Sequence, residues 1–323
     1  MEMIPNIRIG VFMGGSSTER DVSFKSGKAV YNALRDSGCD ALAIDIKKED
    51  REYIKDLIYS YNIGFAFLAL HGGSGEDGTI QKILEELGLP YTGSGPKASY
   101  LAMDKIASRR IFKSAGLNVP RCCVLDEHKR DAEGLDNFPL VVKPACGGSS
   151  VGLSIVDNRK ELKAAIDLAF QYDRCVLVEE YILGREMTVG VLEDKPLPAI
   201  EIKPKSRFFD YKAKYEHGQS EYIVPACVPK KIMQLLQDAG SRAHKSLGCA
   251  FFSRTDIILN KEAKPFVLEV NTIPGFTSTS LLPMAVGACG IGFAELVLKI
   301  IEAGLLRCEK ARAGFIGKNA FAQ

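Results

Sequence analysis

The 323-residue chain has no tryptophan, no C-x-x-C pair and no bias toward one sign of charge. Without such cysteine pairs, a zinc site or thioredoxin-type chemistry has no support. The nine scattered cysteines are predicted to be reduced and to pack as small hydrophobic residues. The chain has 42 basic and 40 acidic residues, a net charge of +2, which is too balanced for binding nucleic acid or a membrane surface through bulk charge.

Long apolar runs are also missing. No stretch of about 18 apolar residues occurs, and the first residues have neither a basic segment nor a signal cleavage site. We therefore expect a cytoplasmic protein. With 46% apolar residues, the chain is long enough to form two or three domains with substantial hydrophobic cores.

Strand-like and helix-like segments alternate through the first hundred residues. Buried strands are predicted at 7–13 and 64–70, and each is followed by a glycine-rich loop and a helix. This order is typical of a parallel sheet with helices on its faces. Ligands of such sheets lie at the carboxyl ends of the strands, where both glycine loops fall.

The rest of the chain mixes helices and strands in other orders. One long helix is predicted at 97–115, a small α+β unit follows, and another helix is predicted near 230–247. The basic tail after Leu306 is expected to be mobile. Further strands are predicted at 186–192, 197–203, 250–259 and 265–270.

The segment "VVKPACGGSSVG" at 141–152 places a glycine and serine loop beside a lysine. It has no lysine after its last glycine, which excludes a P-loop, and "MGGSSTERDVS" after the first strand lacks the spacing of a dinucleotide site. A nucleotide lid fits better, because glycines let the backbone approach phosphate closely while Lys143, Ser149 and Ser150 add polar contacts. Alone, the loop fits a mobile glycine hairpin equally well.

Three oxygen-bearing side chains on two predicted strands indicate a magnesium site. Glu269 and Asn271 face the same side of one strand, and Asp256 is on a strand that could lie beside it. Such a set suits Mg²⁺, whose other ligands would be water and phosphates. The alternative is a salt-bridged carboxylate pair. Arg254 shares the face of Asp256, where it could stabilise charge in a reaction or serve as counter-ion to Glu269.

Nine ordered blocks resemble the D-alanine–D-alanine ligases of the ATP-grasp superfamily over nearly the whole chain. The resemblance implies an α/β (α+β) chain with the three-domain ATP-grasp fold. Its parts are an N-terminal parallel-sheet, Rossmann-like domain at 1–100, a central domain with the lid at 101–186 and a C-terminal domain with the metal site at 187–323. The blocks are "MGGSSTERDVS", "HGGSGEDGTIQ", "GLPYTGSG", "MDK", "VVKPACGGSSVG", "VEEYILGREMTVG", "FFDYKAKY", "SRTDIIL" and "LEVNTIPGFTSTSLLPM".

The resemblance also implies ATP and two Mg²⁺ ions, with Mn²⁺ as a possible substitute, held by Asp256, Glu269 and Asn271. The lysines of the ATP site would contact phosphates, with Lys143 also near the adenine. Residues 179–182 would bind adenine mainly through the backbone, and Glu186 would hold the ribose. The residues implied at ATP are Lys105, Lys143, Ser149, Ser150, Glu179, Glu180, Tyr181, Ile182, Glu186 and Lys214.

The implied reaction is the ATP-dependent ligation of two D-alanines through an acyl phosphate, for peptidoglycan precursor synthesis. Glu19 would hold the first ammonium group, in a hydrogen-bonded triad with Ser149 and Tyr215. By residue type alone, Glu19 would be a surface carboxylate. Arg254 and the Gly275 N–H would stabilise the oxyanion. The remaining substrate residues implied are His71 near the first D-alanine, and Ser280 and the Leu281 N–H at the second carboxylate.

Competing functions stay open. D-lactate or D-serine could replace the second D-alanine, although the tyrosine in "YKAKY" favours the dipeptide over D-alanyl-D-lactate. A nucleotide-binding module without catalysis is the other alternative, and the set Lys143, Asp256, Glu269, Asn271 and Arg254 argues against it. The resemblance implies a homodimer, and we expect no nucleic-acid or membrane partner.

Overall fold

The computed structural model describes residues 7–132, 134–148, 151–205 and 218–320. Within those ranges, no helix combines the length and apolar content that a membrane crossing needs. Four residues predicted to be functional lie outside the described residues, so the roles assigned to them stay predictions. They are Ser149, Ser150, Lys214 and Tyr215.

A three-stranded parallel sheet forms the first part of the fold, as predicted. Strand β1 (Ile9–Gly14) lies between β2 (Ala41–Ile46) and β3 (Phe65–Leu68). A short 3₁₀ helix at Gly73–Gly75 follows β3. The α-helices that alternate with these strands are α1 (Arg20–Asp36), α2 (Arg51–Tyr61) and α3 (Thr79–Glu86).

The prediction of one helix over 97–115 was wrong, because a single residue breaks it. Helix α4 (Pro96–Met103) ends at Asp104, and α5 (Lys105–Ser114) begins directly after it. Asp104 has an extended backbone, and its side chain accepts hydrogen bonds from the N–H groups of Ile106 and Ala107. This N-cap fixes the start of α5 at Lys105.

A four-stranded antiparallel sheet carries the glycine loop. Its strand order is β4, β7, β5, β6. Helix α6 (Arg159–Ala169) packs against β5 and β6. The strands are β4 (Cys122–Leu125), β5 (Leu140–Pro144), β6 (Ser154–Val156) and β7 (Val176–Glu180).

A third, antiparallel sheet has the order β11, β10, β8, β12, β13, and β9 pairs with β8. Helix α7 (Lys230–Leu247) packs on it, as predicted. Helices α8 (Leu281–Gly287) and α9 (Phe293–Ala320) follow, so helix extends past Leu306, where the sequence predicts a mobile tail. The strands are β8 (Gly184–Leu192), β9 (Lys195–Pro196), β10 (Ile200–Pro204), β11 (Ser220–Ile223), β12 (Phe252–Asn260) and β13 (Pro265–Asn271).

The first and last parts of the chain share one hydrophobic core. It contains residues of β1 and β3 together with residues of β10, α8 and α9. Phe276 lies at its centre, with its ring edge-on to Phe67 at 5.6 Å and to Phe252 at 5.7 Å. Because Phe276 is buried among these rings, the loop after β13 is held against the N-terminal sheet.

Candidate active site

Two adjoining cavities contain the predicted site. The first, of ≈ 440 Å³, is lined by residues of the four-stranded sheet and of the third sheet. The second, of ≈ 880 Å³, is lined by α1, the loop after β3 and the segment 275–284. Lys105, Gly147, Gly148 and Glu269 line both cavities. A ligand in the first cavity can therefore meet a ligand in the second at these residues.

The lining of the first cavity contains both apolar and charged side chains. Its apolar lining includes Val141 and Ile155 on one sheet and Met187, Ile202 and Leu268 on the other. Apolar surfaces on two facing sheets suit a flat aromatic base. Its charged lining includes Lys105, Lys143, Asp256 and Glu269.

The predicted metal ligands come from paired strands. Asp256 on β12 lies opposite Glu269 on β13, and Arg254 lies opposite Asn271. The expectation that the two strands lie side by side is confirmed. Asp256 is already ion-paired: Arg254 donates to its Oδ1 from Nε (3.0 Å) and to its Oδ2 from Nη2 (2.8 Å). The hydroxyl of Thr188 also donates to Oδ1, at 2.7 Å.

Glu269 lies near the lysine that begins α5. Lys105 Nζ is 3.8 Å from Glu269 Oε2 and donates to the carbonyl oxygen of Gly147 at 2.5 Å. Asn271 Oδ1 accepts a hydrogen bond from the N–H of Ile273 (2.9 Å). Hard oxygen donors in this arrangement suit Mg²⁺. Because the described residues contain no group of three or more histidine, cysteine, aspartate or glutamate side chains arranged to hold a metal, phosphates and water would have to complete the coordination.

The hinge between the sheets, at residues 179–182, carries charge pairs that are buried at Glu179 and partly exposed at Glu180. Glu179 Oε1 accepts a hydrogen bond from Arg109 Nη1 at 2.8 Å, and Lys143 Nζ lies 3.0 Å from its Oε2. The Glu180 carboxylate accepts hydrogen bonds from the N–H of Arg121 (2.8 Å) and from its Nε (2.9 Å). Both hinge carboxylates therefore bind protein groups.

A buried acidic cluster lies in the second cavity. His71 Nε2 is 2.8 Å from the hydroxyl of Ser26, and its Nδ1 is 3.5 Å from Glu76 Oε1. Burial raises the pKa of the Glu76 carboxyl, the charge of Glu19 raises it further, and His71 opposes the shift. Glu19 is only 7% exposed, so the expectation from residue type alone, a surface carboxylate, was wrong. The fold buries it because the position just before α1 faces the loop at Gly72.

The segment after β13 closes the other side of the second cavity. The N–H of Phe276 donates to Ser26 Oγ at 3.1 Å, which ties the segment to α1. Ser280 Oγ accepts from the N–H of Thr277 at 3.0 Å. A side chain at Gly275 would place its Cβ 3.0 Å from Ser280 Oγ. Glycine at this position keeps the backbone accessible from the cavity.

Family comparisons account for this arrangement. One matching model is described as the D-ala D-ala ligase N-terminus, over residues 8–61 and 56–94. The other is described as the D-ala D-ala ligase C-terminus, over residues 111–302. The chain belongs to the D-alanine–D-alanine ligase family.

Individual relatives agree with this family. The chain is 48% identical over 302 residues to the D-alanine–D-alanine ligase of Geotalea uraniireducens (strain Rf4), covering 93% of this chain and 96% of the relative. It is 44% identical over 311 residues to that of Geobacter sulfurreducens, covering 95% and 97%.

Solved structures show the same fold. The Bacillus anthracis D-alanine–D-alanine ligase complexed with ATP has a TM-score of 0.83 at 33% identity, covering 94% of this chain and 99% of that one. The VanG D-Ala:D-Ser ligase from Enterococcus faecalis has a TM-score of 0.80 at 32% identity, covering 93% and 99%. The predicted three-domain ATP-grasp fold is thereby confirmed.

Each described residue that the family resemblance assigned to the site lines one of the two cavities. The first cavity holds Lys105, Lys143, Glu179, Glu180, Tyr181, Ile182, Glu186, Asp256 and Glu269. The second holds Glu19, His71, Arg254, Asn271, Gly275, Ser280 and Leu281.

Sequence reasoning missed other residues of the site. Glu76 belongs to the recognised block "HGGSGEDGTIQ", but nothing in that block indicates that it is buried. Thr188 lies two residues after Glu186, so strand alternation could have placed it on the same face. Arg109 lies four residues after Lys105, so helical spacing could have found it. Tyr222, which lines the second cavity, falls on β11, which was not predicted.

Proposed function

We propose that the protein ligates two D-alanine molecules to D-alanyl-D-alanine, cleaving ATP to ADP and phosphate, in peptidoglycan precursor synthesis. The observation that carries this proposal is the pair of cavities sharing Lys105 and Glu269. A nucleotide in the first cavity would present its terminal phosphate at that shared wall, next to an amino acid in the second cavity. The family membership supports the same activity.

The nucleotide would lie with its base between the apolar faces of the two sheets. Residues 179–182 would contact adenine mainly through backbone groups, since the carboxylates of Glu179 and Glu180 already bind protein partners. Glu186 would hold the ribose. Lys105, Lys143 and the glycine loop would face the phosphates, with Ser149, Ser150 and Lys214 as further predicted contacts.

Asp256, Glu269 and Asn271 would hold the two predicted Mg²⁺ ions, for which Mn²⁺ could substitute. Bound divalent ions would neutralise phosphate charge and polarise the γ-phosphoryl group. Thr188 and Arg254 orient the Asp256 carboxylate through three hydrogen bonds. Arg254 can therefore lie at the metal edge without leaving an unpaired buried charge.

The first step would take place where the cavities meet. Glu19 would bind the ammonium group of the first D-alanine, near His71. The carboxylate oxygen of that D-alanine attacks the γ-phosphorus, the bond between this phosphorus and the bridging oxygen breaks, and ADP leaves with the electron pair. Positioning and charge neutralisation carry this step, and the product is an acyl phosphate.

The second step would form the peptide bond. Ser280 and the Leu281 N–H would hold the carboxylate of the second D-alanine. Its ammonium group would lose a proton to water, and the neutral amine would attack the acyl carbon. Arg254 and the Gly275 N–H would stabilise the oxyanion of the tetrahedral intermediate. Its C–O bond to phosphate then breaks, and phosphate leaves. The loops carrying Ser149 and Tyr215 would exclude water, which would otherwise hydrolyse the acyl phosphate.

A second candidate function differs only in the second substrate. The similarity to a solved D-Ala:D-Ser ligase favours D-serine as the alternative. Phosphate release with Mg²⁺ATP should require D-alanine, and mass spectrometry should find D-alanyl-D-alanine as the main product when D-alanine, D-serine and D-lactate compete. Absence of D-alanine-dependent release would overturn the proposed function. A mainly D-serine product would overturn only the second-substrate assignment.

Other properties complete the proposal. A homodimer, a cytoplasmic location and domain boundaries at 100/101 and 186/187 remain predictions. Both ends of the chain contribute to one hydrophobic core, so the first and third proposed domains are expected to move as a unit rather than separately.

A further inference from the structure

We propose that Arg109 is a positioning residue for the nucleotide: by ion-pairing with Glu179 it leaves Lys143 available to bind phosphate. This inference rests on the proposed function, since it assumes that a nucleotide occupies the first cavity. Arg109 is absent from the described residues that line either cavity. It would therefore act through Glu179 and Lys143, without touching the ligand.

The three side chains form a continuous buried chain. Arg109 and Glu179 are each 2% exposed and Lys143 is 8% exposed. Arg109 donates to Oε1 of Glu179, and Lys143 lies near Oε2 of the same carboxylate. Arg109 also donates to the carbonyl oxygen of Pro120, another residue of the cavity wall. The position of Lys143 is thus coupled to that of Arg109 through one shared carboxylate.

Arg109, Glu179 and Lys143 form a trio, and its net charge explains why an arginine is needed at a position that does not line the cavity. Two cations share one carboxylate, so the trio as a whole carries one positive charge. An arginine keeps its proton in proteins, so the charge that Arg109 contributes to the trio is permanent. Without Arg109, Glu179 would neutralise Lys143 completely, and the attraction for an anionic phosphate would fall.

The helix that carries Arg109 supports this role. Lys105 and Arg109 are four residues apart on α5, so they point to the same side of the helix. Lys105 lies on the cavity wall and donates to Gly147 of the glycine loop. Helix α5 therefore contributes two cations to this region. Lys105 lines the cavity itself, and Arg109 acts on the cavity through its ion pair with Glu179.

The test uses four full-length proteins: wild type, Arg109→Met, Arg109→Lys and the double variant Arg109→Met with Glu179→Gln. In Arg109→Met the trio is neutral, whereas in the double variant Lys143 again carries an unshared positive charge. The exposed Arg110 on the same helix provides a matched control, Arg110→Met. Measurements are the KM for ATP, the KM for D-alanine and calorimetric binding of ADP with Mg²⁺, all below the unfolding temperature of each variant.

We expect Arg109→Met to raise the KM for ATP and the Kd for ADP about tenfold, equivalent to about 1.4 kcal/mol of binding free energy, with the KM for D-alanine changing less than about twofold. Arg109→Lys should fall between this variant and wild type, and Arg110→Met should match wild type. The double variant should recover most of the ADP affinity. A purely structural arginine predicts instead that the KM for ATP and the KM for D-alanine rise together in Arg109→Met, since a displaced α5 would also move Lys105, which lines both cavities.

The inference is overturned if the double variant binds ADP no better than Arg109→Met, or if Arg109→Met leaves ADP binding unchanged. Failure of the proposed function has a different signature. Wild-type protein would then release no phosphate in response to D-alanine, whatever the variants do in ADP binding.

Discussion

Two buried glutamates, one beside each cavity, have contrasting surroundings. Glu179 lies between two cations, Arg109 and Lys143, in the wall of the first cavity. Glu76 lies in the second cavity with a histidine on one side and the negative charge of Glu19 nearby. Both carboxylates are almost inaccessible to solvent, so the difference between them lies in their neighbours.

The neighbours of each glutamate determine how the charge of its cavity responds to pH. The Glu179 carboxylate, between an arginine and a lysine, has two counter-ions, and the arginine keeps its charge. In the second cavity, burial raises the pKa of Glu76 above its usual value of 4.5. The charge of the second cavity therefore depends on pH.

The largest effect is expected at the wall that both cavities share. Glu269→Gln removes a carboxylate that lines the first and the second cavity. We expect kcat to fall by more than about 100-fold. Losing a metal ligand should cost more than losing a residue that only hydrogen-bonds to such a ligand, which typically costs about 10- to 100-fold. Steady-state phosphate release over a Mg²⁺ titration would measure it. Activity equal to wild type would refute Glu269 as a metal ligand.

An intermediate effect is expected in the first cavity alone. Thr188→Val removes the hydroxyl that donates to Asp256 Oδ1 at 2.7 Å, while Thr188→Ser keeps it. We expect the valine variant to bind Mn²⁺ about 10-fold more weakly in the presence of ADP, as for other outer partners of metal ligands. Electron paramagnetic resonance of free Mn²⁺ measures this. Equal affinities in the valine and serine variants would show that the hydroxyl does not orient Asp256.

The smallest effect is expected in the second cavity and depends on pH. Because the pKa of Glu76 is raised in the folded protein, the folded state keeps this proton to higher pH than the unfolded chain. The contribution of the protonated Glu76 carboxyl to the stability of the folded state is therefore fully present below about pH 4.5. It is lost as the pH rises through the pKa that Glu76 has in the folded protein. Glu76→Gln stays neutral and should avoid that loss.

Thermal unfolding between pH 4 and pH 8 tests this prediction. The Tm of Glu76→Gln relative to wild type should rise with pH, by a few degrees for each kcal/mol gained. Glu262→Gln, at an exposed turn, should follow wild type throughout. A Tm difference independent of pH would mean that the Glu76 carboxyl does not titrate with a raised pKa.

Local pattern was sufficient to predict much of this protein. Alternation along a strand placed Glu269 and Asn271 on one face, and the paired register then brought Asp256 opposite Glu269. The helix near 230–247 matches α7. Local pattern failed at Asp104, because helical periodicity continues across a one-residue break that only the cap geometry reveals.

The amino-acid sequence by itself determined the parallel start of the fold, the glycine loops and which oxygen-bearing side chains share one face of a strand, since these depend on spacing within short segments. Only the tertiary structure decided which charges meet. Arg109 and Glu179 are 70 positions apart, and Thr188 and Asp256 are 68 apart. Burial of Glu19 likewise depends on α1 facing the loop after β3. Such contacts arise when separate sheets and helices pack, and the free energy of burying a charge depends on those neighbours rather than on the residue itself.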